Sequence, residues 1–218
     1  MALERLTVED QVANAHLYQV WDREGVDDGW YSQIKDFNFT TLLRIEDLTQ
    51  NPLRGTSVLD VGCGTGDFFP NLREAGVGEY LGIDVLSPSI EKARTKYPDG
   101  AFRQGDFLVE PYGEKFDFAF LSGALTTALP SDNTAFMMRM LARMGQVTNS
   151  GFAFNYLTGT KQKLEGVHLT HFYSRELVAL LCDELFPNAD RFVIPSQLGP
   201  TMQDTVFIVK KPLPAASI

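Results

Sequence analysis

The sequence is poor in cysteine and histidine, with two and three of them in 218 residues. Cys63 and Cys182 form neither a Cys-x-x-Cys pair nor any metal-ligand spacing. Their pattern predicts a reduced, cytoplasmic protein without a metal site. No apolar run approaches the roughly 18 residues of a transmembrane helix, and the amino terminus lacks the apolar segment of a signal peptide, so no membrane partner is expected.

Clustered positive charge is also missing. The formal net charge is −9 and the sequence pI is about 4.8. The nearest approach to a basic run is Lys161-Gln162-Lys163. Proteins that track a phosphate backbone usually carry a basic face. The composition therefore predicts no nucleic-acid partner, and the acidity serves solubility.

The most informative stretch is residues 58–68, Val-Leu-Asp-Val-Gly-Cys-Gly-Thr-Gly-Asp-Phe. The apolar run at residues 57–61 predicts a buried strand, and a helical pattern follows the three glycines. A tight turn between strand and helix places backbone amides at one edge of a parallel sheet, where such folds bind ligands. Glycine permits positive φ there, and no Cβ blocks a ligand that lies on the backbone.

From residue 57 onward, strands and helices alternate, which predicts an α/β fold with a doubly wound, mostly parallel sheet. The last two strands lack an intervening helix, so the final strand is expected to be antiparallel. The expected strands are 57–61, 80–84, 101–104, 116–121, 151–156, 190–194 and 205–209. The expected helices are 67–74, one with Ser87 as N-cap, 133–147, and one capped by Ser174. The methionines of helix 133–147 are interpreted as core filler rather than metal ligands.

The first 54 residues predict an N-terminal helical extension, and residues 55–211 the main domain. The two helices of the N-terminal extension are expected at about residues 7–21 and 31–48. The second should bury one apolar side, formed by Ile34, Phe37, Leu42, Ile45 and Leu48. The many aromatic residues of this leader fit packing onto the core. The alternative is a lid in which Trp30 and Tyr31 close over a ligand.

Acidic side chains follow two further strands. Asp84 can accept two hydrogen bonds from a ribose diol, and the alternative is that it only caps the next turn. Asp106 can accept from the exocyclic amine of adenine, with Phe107 beside the ring, and the alternative is an ordinary polar turn. The carboxyl ends of neighbouring strands meet at one edge, so these groups and Ser122 are expected in one crevice.

Two common nucleotide motifs are absent. The dinucleotide motif G-x-G-x-x-G fits Gly62 and Gly64, but its third glycine position holds Asp67, whose charge would also oppose a pyrophosphate. No P-loop sequence exists in the chain. These absences favour a ligand that contains ribose and adenine but no phosphate.

Residues 58–66 closely resemble the first motif of the class I S-adenosylmethionine-dependent methyltransferases. Residues 80–84, 105–107 and 116–121 are similar to the family's next three motifs, so the resemblance spans about residues 55–210. It implies a Rossmann-like, seven-stranded sheet with an antiparallel last strand. It also implies that S-adenosyl-L-methionine is the cofactor and S-adenosyl-L-homocysteine the product.

The resemblance implies residue roles as well. The methionine end of the cofactor would be held by Asp60, Gly62, Cys63, Gly64 and Gly66. Asp84 would bind the ribose, Asp106 and Phe107 would contact the adenine, and Val85 is a further cofactor-binding residue. Leu121 and Ser122 would line the transferable methyl group.

Catalysis in this family is mainly the in-line alignment of nucleophile, methyl carbon and sulfur. The acceptor is expected to be a small molecule, because the chain is acidic and lacks the Asn-Pro-Pro-Tyr signature of nitrogen-directed nucleic acid and protein-glutamine methyltransferases. The expected substrate residues are Trp30, Tyr31, Asn155 and Tyr156. His168 and His171 are candidate bases. Two alternatives stay open: a cofactor-binding regulatory protein without activity, and a nicotinamide-dependent oxidoreductase.

Overall fold

Seven strands form one sheet in the computed structural model, which describes residues 5–23, 32–158, 170–198 and 201–210. In chain order the strands are β1 (Ser57–Val61), β2 (Glu79–Asp84), β3 (Phe102–Gln104), β4 (Phe116–Leu121), β5 (Thr148–Thr158), β6 (Ala189–Leu198) and β7 (Thr201–Lys210). Their spatial order is β3-β2-β1-β4-β5-β7-β6.

The first five strands pair in parallel, and β7 runs antiparallel between β5 and β6. The predictions of a mostly parallel α/β sheet and an antiparallel last strand are confirmed. The closing strands are longer than the sequence indicated, because β7 pairs with β5 from Met202 to Val209. The order reverses between β1 and β4, which places a ligand crevice at the carboxyl end of β1.

Helices cover both faces of the sheet. They are α1 (Val8–Arg23), α2 (Ser32–Leu43), α3 (Ile45–Thr49), α4 (Phe69–Glu74), α5 (Ser87–Lys96), α6 (Asn133–Val147) and α7 (Arg175–Leu185). Helices α6 and α7 pack on one face, while α2, α3 and α4 pack on the other. As predicted, Met137, Met140 and Met144 lie buried in the core. No helix within the described ranges is long and apolar enough to span a membrane.

The predicted packing of the leader's aromatic residues onto the core is confirmed for Phe39. The ring of Phe39 stacks on that of Phe68, with centroids 4.7 Å apart. The single helix predicted over about residues 31–48 is in fact two, α2 and α3. The backbone forms a tight turn at Arg44, whose N–H donates to the carbonyl of Thr41. The buried face also differs from the prediction: Asn38 is 2% exposed, whereas Phe37 is 37% exposed.

Two predicted helix starts need correction as well. The N-cap of α5 is Leu86, and Ser87 is its first helical residue. Helix α4 begins at Phe69, so Asp67 lies in the turn before it. Ser174 caps α7 as predicted, since its hydroxyl accepts from the N–H of Leu177.

Candidate functional site

The turn after β1 requires glycine for two separate reasons. Gly62, Gly64 and Gly66 have φ values of 67°, 54° and 79°, which side chains rarely adopt. A Cβ on Gly62 would also lie 2.6 Å from the Cβ of Ala124, and one on Gly66 would lie 2.7 Å from the ring of Phe102. The turn is therefore packed tightly between the loop after β4 and the β3 edge.

Asp84 fixes the geometry of this turn from the end of β2. Its Oδ2 accepts from the N–H of Gly64 at 3.0 Å, and its Oδ1 accepts from the N–H of Leu86 at 2.8 Å. The capping role is therefore present in the structure. Because each carboxylate oxygen has more than one lone pair, the same group can still accept from a diol at the crevice.

Two cavities flank the glycine turn and share Gly62 and Gly123. The first, the apolar cavity, is lined by Leu6, Asn14, Val61, Gly62, Ile83, Asp84, Val85, Leu86, Gly105, Asp106, Phe107, Gly123, Ala124, Thr126, Thr127, Phe136 and Met140. The second, the polar cleft, is lined by Lys35, Asn38, Phe39, Asp60, Gly62, Cys63, Gly64, Asp67, Phe68, Ser122 and Gly123.

The apolar cavity collects the four residues expected near adenosine: Asp84, Val85, Asp106 and Phe107. Asp106 already has partners. Its Oδ1 accepts from the N–H of Leu108, and its Oδ2 accepts from the N–H of Leu6, both at 3.0 Å. An adenine amine would therefore share this carboxylate with the leader or displace Leu6.

The start of α1 is fixed beside the same cavity. Thr7 and Asp10 cap the helix reciprocally, each side chain accepting from the other's backbone N–H. The fully buried carboxylate of Asp10 also accepts from the N–H of Ser131 at 3.2 Å. Together with the Leu6–Asp106 bond, these contacts make the leader a wall of the cavity.

Asp60 is the buried acid of the polar cleft. The hydroxyl of Tyr80 donates to its Oδ2 at 3.0 Å. Burial raises the pKa of Asp60 to about 7, and the nearby carboxylates of Asp84 and Asp67 add to the rise, while the Tyr80 hydrogen bond opposes it. Near neutral pH this carboxyl group is therefore divided between its two protonation states.

Asp67 has its charge compensated by two lysines. The ammonium groups of Lys35 and Lys96 lie 2.6 Å and 2.5 Å from its carboxylate oxygens. Burial raises the pKa of Asp67, but these two partners outweigh it and hold the pKa below its usual range. The charge of Asp67, which was expected to oppose a pyrophosphate, is therefore compensated within the protein.

The end of β4 is held by Asn155 on β5. The side-chain Oδ1 of Asn155 accepts from the N–H of Gly123 at 2.8 Å, and its Nδ2 lies 3.1 Å from the hydroxyl of Ser122. Asn155 is 1% exposed. Its buried side-chain amide orients Gly123 and Ser122 through these two hydrogen bonds. Ser122, in contrast, lines the polar cleft.

Three predicted site residues direct their side chains elsewhere. Leu121 and Tyr156 are both buried in the core cluster that packs against α6 and α7. The hydroxyl of Tyr156 donates a hydrogen bond to Asp204 at 3.2 Å. Neither residue lines the apolar cavity or the polar cleft. Cys63 lines the polar cleft, but its side chain packs among Phe69 and Ile90, so a ligand would meet its backbone.

His171 lies next to the loop after β4. Its backbone N–H donates to the carbonyl of Thr126 at 2.7 Å. Its ring contacts that of Tyr173 edge-on, with the ring centroids 4.5 Å apart. It is not among the residues that line the two cavities. His168, Trp30 and Tyr31, and with them the predicted lid, fall outside the described residues.

Sequence reasoning missed several lining residues, above all Lys35, Asn38 and Leu6. A lysine on a leader helix gives no sign of facing a site until that helix is docked against the glycine turn. Asn38 did carry a signal, because a polar residue between apolar ones in a packed helix needs a partner. It accepts from the side-chain amide of Gln203 on β7.

Comparison with known proteins agrees with this geometry. Residues 58–149 match the model of a family described as "Methyltransferase domain". This segment is therefore similar to that family. An 88-residue part of the chain is 32% identical to the mRNA cap guanine-N(7) methyltransferase of Schizosaccharomyces pombe. That match covers 34% of this chain and only 24% of the relative, so the chain spans about a quarter of the curated relative's length.

Solved structures extend the likeness in fold to almost the whole chain. Magnesium protoporphyrin IX methyltransferase from Synechocystis PCC 6803, with bound S-adenosylmethionine, superposes with a TM-score of 0.71 at 14% identity over 95% of this chain and 100% of that chain. The N-methyltransferase NodS from Bradyrhizobium japonicum gives 0.62 at 15% identity over 83% and 98%. The predicted resemblance is confirmed: the fold is that of the class I S-adenosylmethionine-dependent methyltransferases.

Proposed function

We propose that this protein is an S-adenosylmethionine-dependent methyltransferase that transfers a methyl group to a small-molecule acceptor. The observation that carries the proposal is the glycine turn, fixed by Asp84 and flanked by one apolar cavity and one polar cleft. A ligand lying across this turn would place its two chemically different ends in the two spaces.

The lining residues fit this cofactor. The apolar cavity offers Val85 and Phe107 to a planar base, with Asp84 near enough to bind a ribose diol. The polar cleft offers a carboxyl group at Asp60 and an ammonium group at Lys35, which suit the amino and carboxylate groups of the methionine end. Neither cavity presents a helix N-terminus with the glycine spacing that a pyrophosphate needs, which favours this cofactor over a nicotinamide dinucleotide.

S-adenosylmethionine supplies a methyl group that is already a good electrophile. The protein then has to orient the acceptor and limit access of water. Asn155 fixes the end of β4, and the reacting groups would meet beside Ser122 and Gly123. Asn155 itself is buried, so its two hydrogen bonds to this end are shielded from water.

The proposal also specifies a small-molecule acceptor and a cytoplasmic location. The net charge of −9 opposes nucleic-acid binding, and the end of β4 lacks the Asn-Pro-Pro-Tyr signature. Cys63 and Cys182 are buried thiols that are not joined in a disulfide, consistent with a reducing compartment.

The direct test has two stages. Calorimetry with S-adenosylmethionine, S-adenosylhomocysteine and NADH measures what the chain binds. Transfer of a labelled methyl group is then followed over panels of carboxylic acids, phenols, amines, thiols and a cap analogue. Binding of NADH alone would contradict the proposal, and cofactor binding without transfer to any panel member would favour the regulatory alternative. Transfer to the cap analogue alone would contradict the small-molecule acceptor.

Affinity for S-adenosylmethionine is expected to fall as the pH drops below about 7. Because the raised pKa of Asp60 leaves it neutral in the acid range, a cationic amino group must first displace its proton. Binding should be roughly tenfold weaker near pH 6 than near pH 8 and should release a proton. Calorimetry in buffers of different ionisation enthalpy measures both effects.

The variant Asp60→Asn is the control for this pH dependence and should bind with an affinity that does not change over the same range. The folding stability should also depend on pH, over a more acidic range. Since the folded pKa lies above the ordinary value of 3.8, stability contributed by Asp60 decreases as the pH rises from about 4 to about 7 and is constant above it. A wild-type affinity without pH dependence would contradict the role of Asp60.

Lys35→Met is expected to weaken S-adenosylmethionine binding roughly tenfold, through loss of a charged hydrogen bond to the cofactor carboxylate. Lys96→Met is a matched control, because Lys96 pairs with the same Asp67 but does not line the cleft. Decarboxylated S-adenosylmethionine should bind wild type and Lys35→Met alike. Equal losses in both lysine variants would show that only the Asp67 pairing matters.

A further inference from the structure

The hydrogen-bond directions around Asn155 determine how the Ser122 hydroxyl is used. A backbone N–H can only donate, so the atom of Asn155 that lies 2.8 Å from the Gly123 nitrogen must be the amide oxygen. The amide nitrogen then faces Ser122 at 3.1 Å. Because an amide NH₂ only donates, the Ser122 oxygen accepts, and its own hydrogen points elsewhere.

That hydrogen is available to the polar cleft. Ser122 lines the cleft, and within the described residues no hydrogen bond donated by its hydroxyl is found. Asn155 is 1% exposed and is held by Gly123 as well, so the arrangement cannot easily reverse. The end of β4 therefore presents a preoriented hydrogen-bond donor next to the glycine turn.

We propose that Ser122 donates this hydrogen bond to an oxygen of the methyl acceptor, and that the acceptor is a carboxylate. The inference rests on the proposed methyltransferase function and deepens it. A donor beside the reacting atom needs a lone pair other than the one that attacks. A carboxylate has such lone pairs and attacks without losing a proton, which an alcohol or a phenol has to do, whereas the single lone pair of an amine nitrogen is consumed by the new bond.

The reaction balances without a base. One carboxylate oxygen uses a lone pair to form the C–O bond, the C–S bond breaks, and its electron pair stays on sulfur. An anion and a sulfonium cation become a neutral methyl ester and a neutral thioether, and no proton is released. Ser122 is a substrate-contacting residue in this scheme, and Asn155 is a positioning residue that acts through it.

Acetate and methylammonium, two small probes of opposite hydrogen-bonding character, test the inference by saturation-transfer NMR on protein saturated with S-adenosylhomocysteine. Wild type should bind acetate. Ser122→Ala should reduce acetate affinity about tenfold, the equivalent of one hydrogen bond to a charged group. The methylammonium signal should not depend on Ser122. Calorimetry with S-adenosylhomocysteine shows whether each variant keeps its fold and cofactor site.

Asn155→Asp gives a second, nearly isosteric test of direction. A carboxylate still accepts from Gly123, but it also accepts from Ser122 and so turns the hydroxyl hydrogen away from the cleft. Acetate binding should fall as in Ser122→Ala, and the double variant should be no weaker than the Asn155→Asp single variant. If Asn155→Asp does not fold, the Ser122→Ala result decides alone.

Three outcomes would overturn the inference while leaving the proposed function intact: no acetate binding to wild type, acetate binding unchanged in Ser122→Ala, or an equal dependence of methylammonium on Ser122. A wild-type protein that fails to bind S-adenosylhomocysteine would instead overturn the proposed function, and the carboxylate inference with it.

Discussion

Asp84→Ala is expected to weaken S-adenosylmethionine binding by more than about a hundredfold, the largest loss of affinity from any single side chain at this site. The carboxylate would make two charge-assisted hydrogen bonds to the ribose, each worth about 1.5–3 kcal/mol. It also holds the N–H groups of Gly64 and Leu86, so its removal loosens the turn on which the cofactor lies. Isothermal calorimetry measures the change in Kd.

Asp99→Ala is the matched control. Asp99 pairs with Arg73 at the surface, and both side chains are more than half exposed. Its removal takes away the same formal charge from an exposed pair that lines neither cavity, so cofactor affinity should stay within about twofold of wild type. Wild-type affinity in a folded Asp84→Ala protein would remove Asp84 from the proposed cofactor site.

Gly62→Ala is expected to cause the largest loss of stability and to abolish cofactor binding. The φ of 67° costs an alanine about 1–2 kcal/mol. The new Cβ would lie 2.6 Å from that of Ala124, and relieving such an overlap costs about 1–3 kcal/mol more. The relief has to move Ala124, which lines the apolar cavity, or the glycine turn itself. Thermal unfolding and calorimetry measure the two effects.

Two other glycines separate these contributions. Gly55 also has a positive φ, 78°, but a Cβ there would meet nothing within 4 Å. Gly55→Ala should therefore show the backbone strain alone, about 1–2 kcal/mol. Gly113 has neither a positive φ nor a neighbour within 4 Å, so Gly113→Ala should leave stability nearly unchanged. Equal stability of the Gly55 and Gly62 variants would mean that the Ala124 contact is unimportant.

Much of the fold was predictable because its signals are local. Short apolar runs between turn residues predicted each strand, and β4 and α6 were located to the residue. The strand-end acids Asp84 and Asp106 were found because the carboxyl ends of parallel strands share one edge. The predicted element boundaries were wrong where strand pairing extends a strand, as in β7. They were also wrong where a tight backbone turn divides a helix, as at Arg44.

The candidate site was less predictable, because its second half comes from residues without a local signal. Lys35 reaches the polar cleft only when α2 docks on the glycine turn. Leu6 reaches Asp106 across a sequence separation of 100 residues. The predicted roles of Leu121 and Tyr156 ignored side-chain direction, which in a strand depends on which face each residue presents to the core.

The sequence by itself determined the nature of the binding turn: three glycines after a buried strand, followed at the right intervals by acids at the ends of later strands. These features depend on the φ angles that glycine permits, on its lack of a Cβ atom and on the periodicity of the strands, all of which are local properties of the sequence. Only the tertiary structure decided which charges are compensated, how Asp60 titrates and which way the Ser122 hydroxyl points. Those properties depend on partners brought together by packing, such as Lys35 with Asp67 and Asn155 with Ser122.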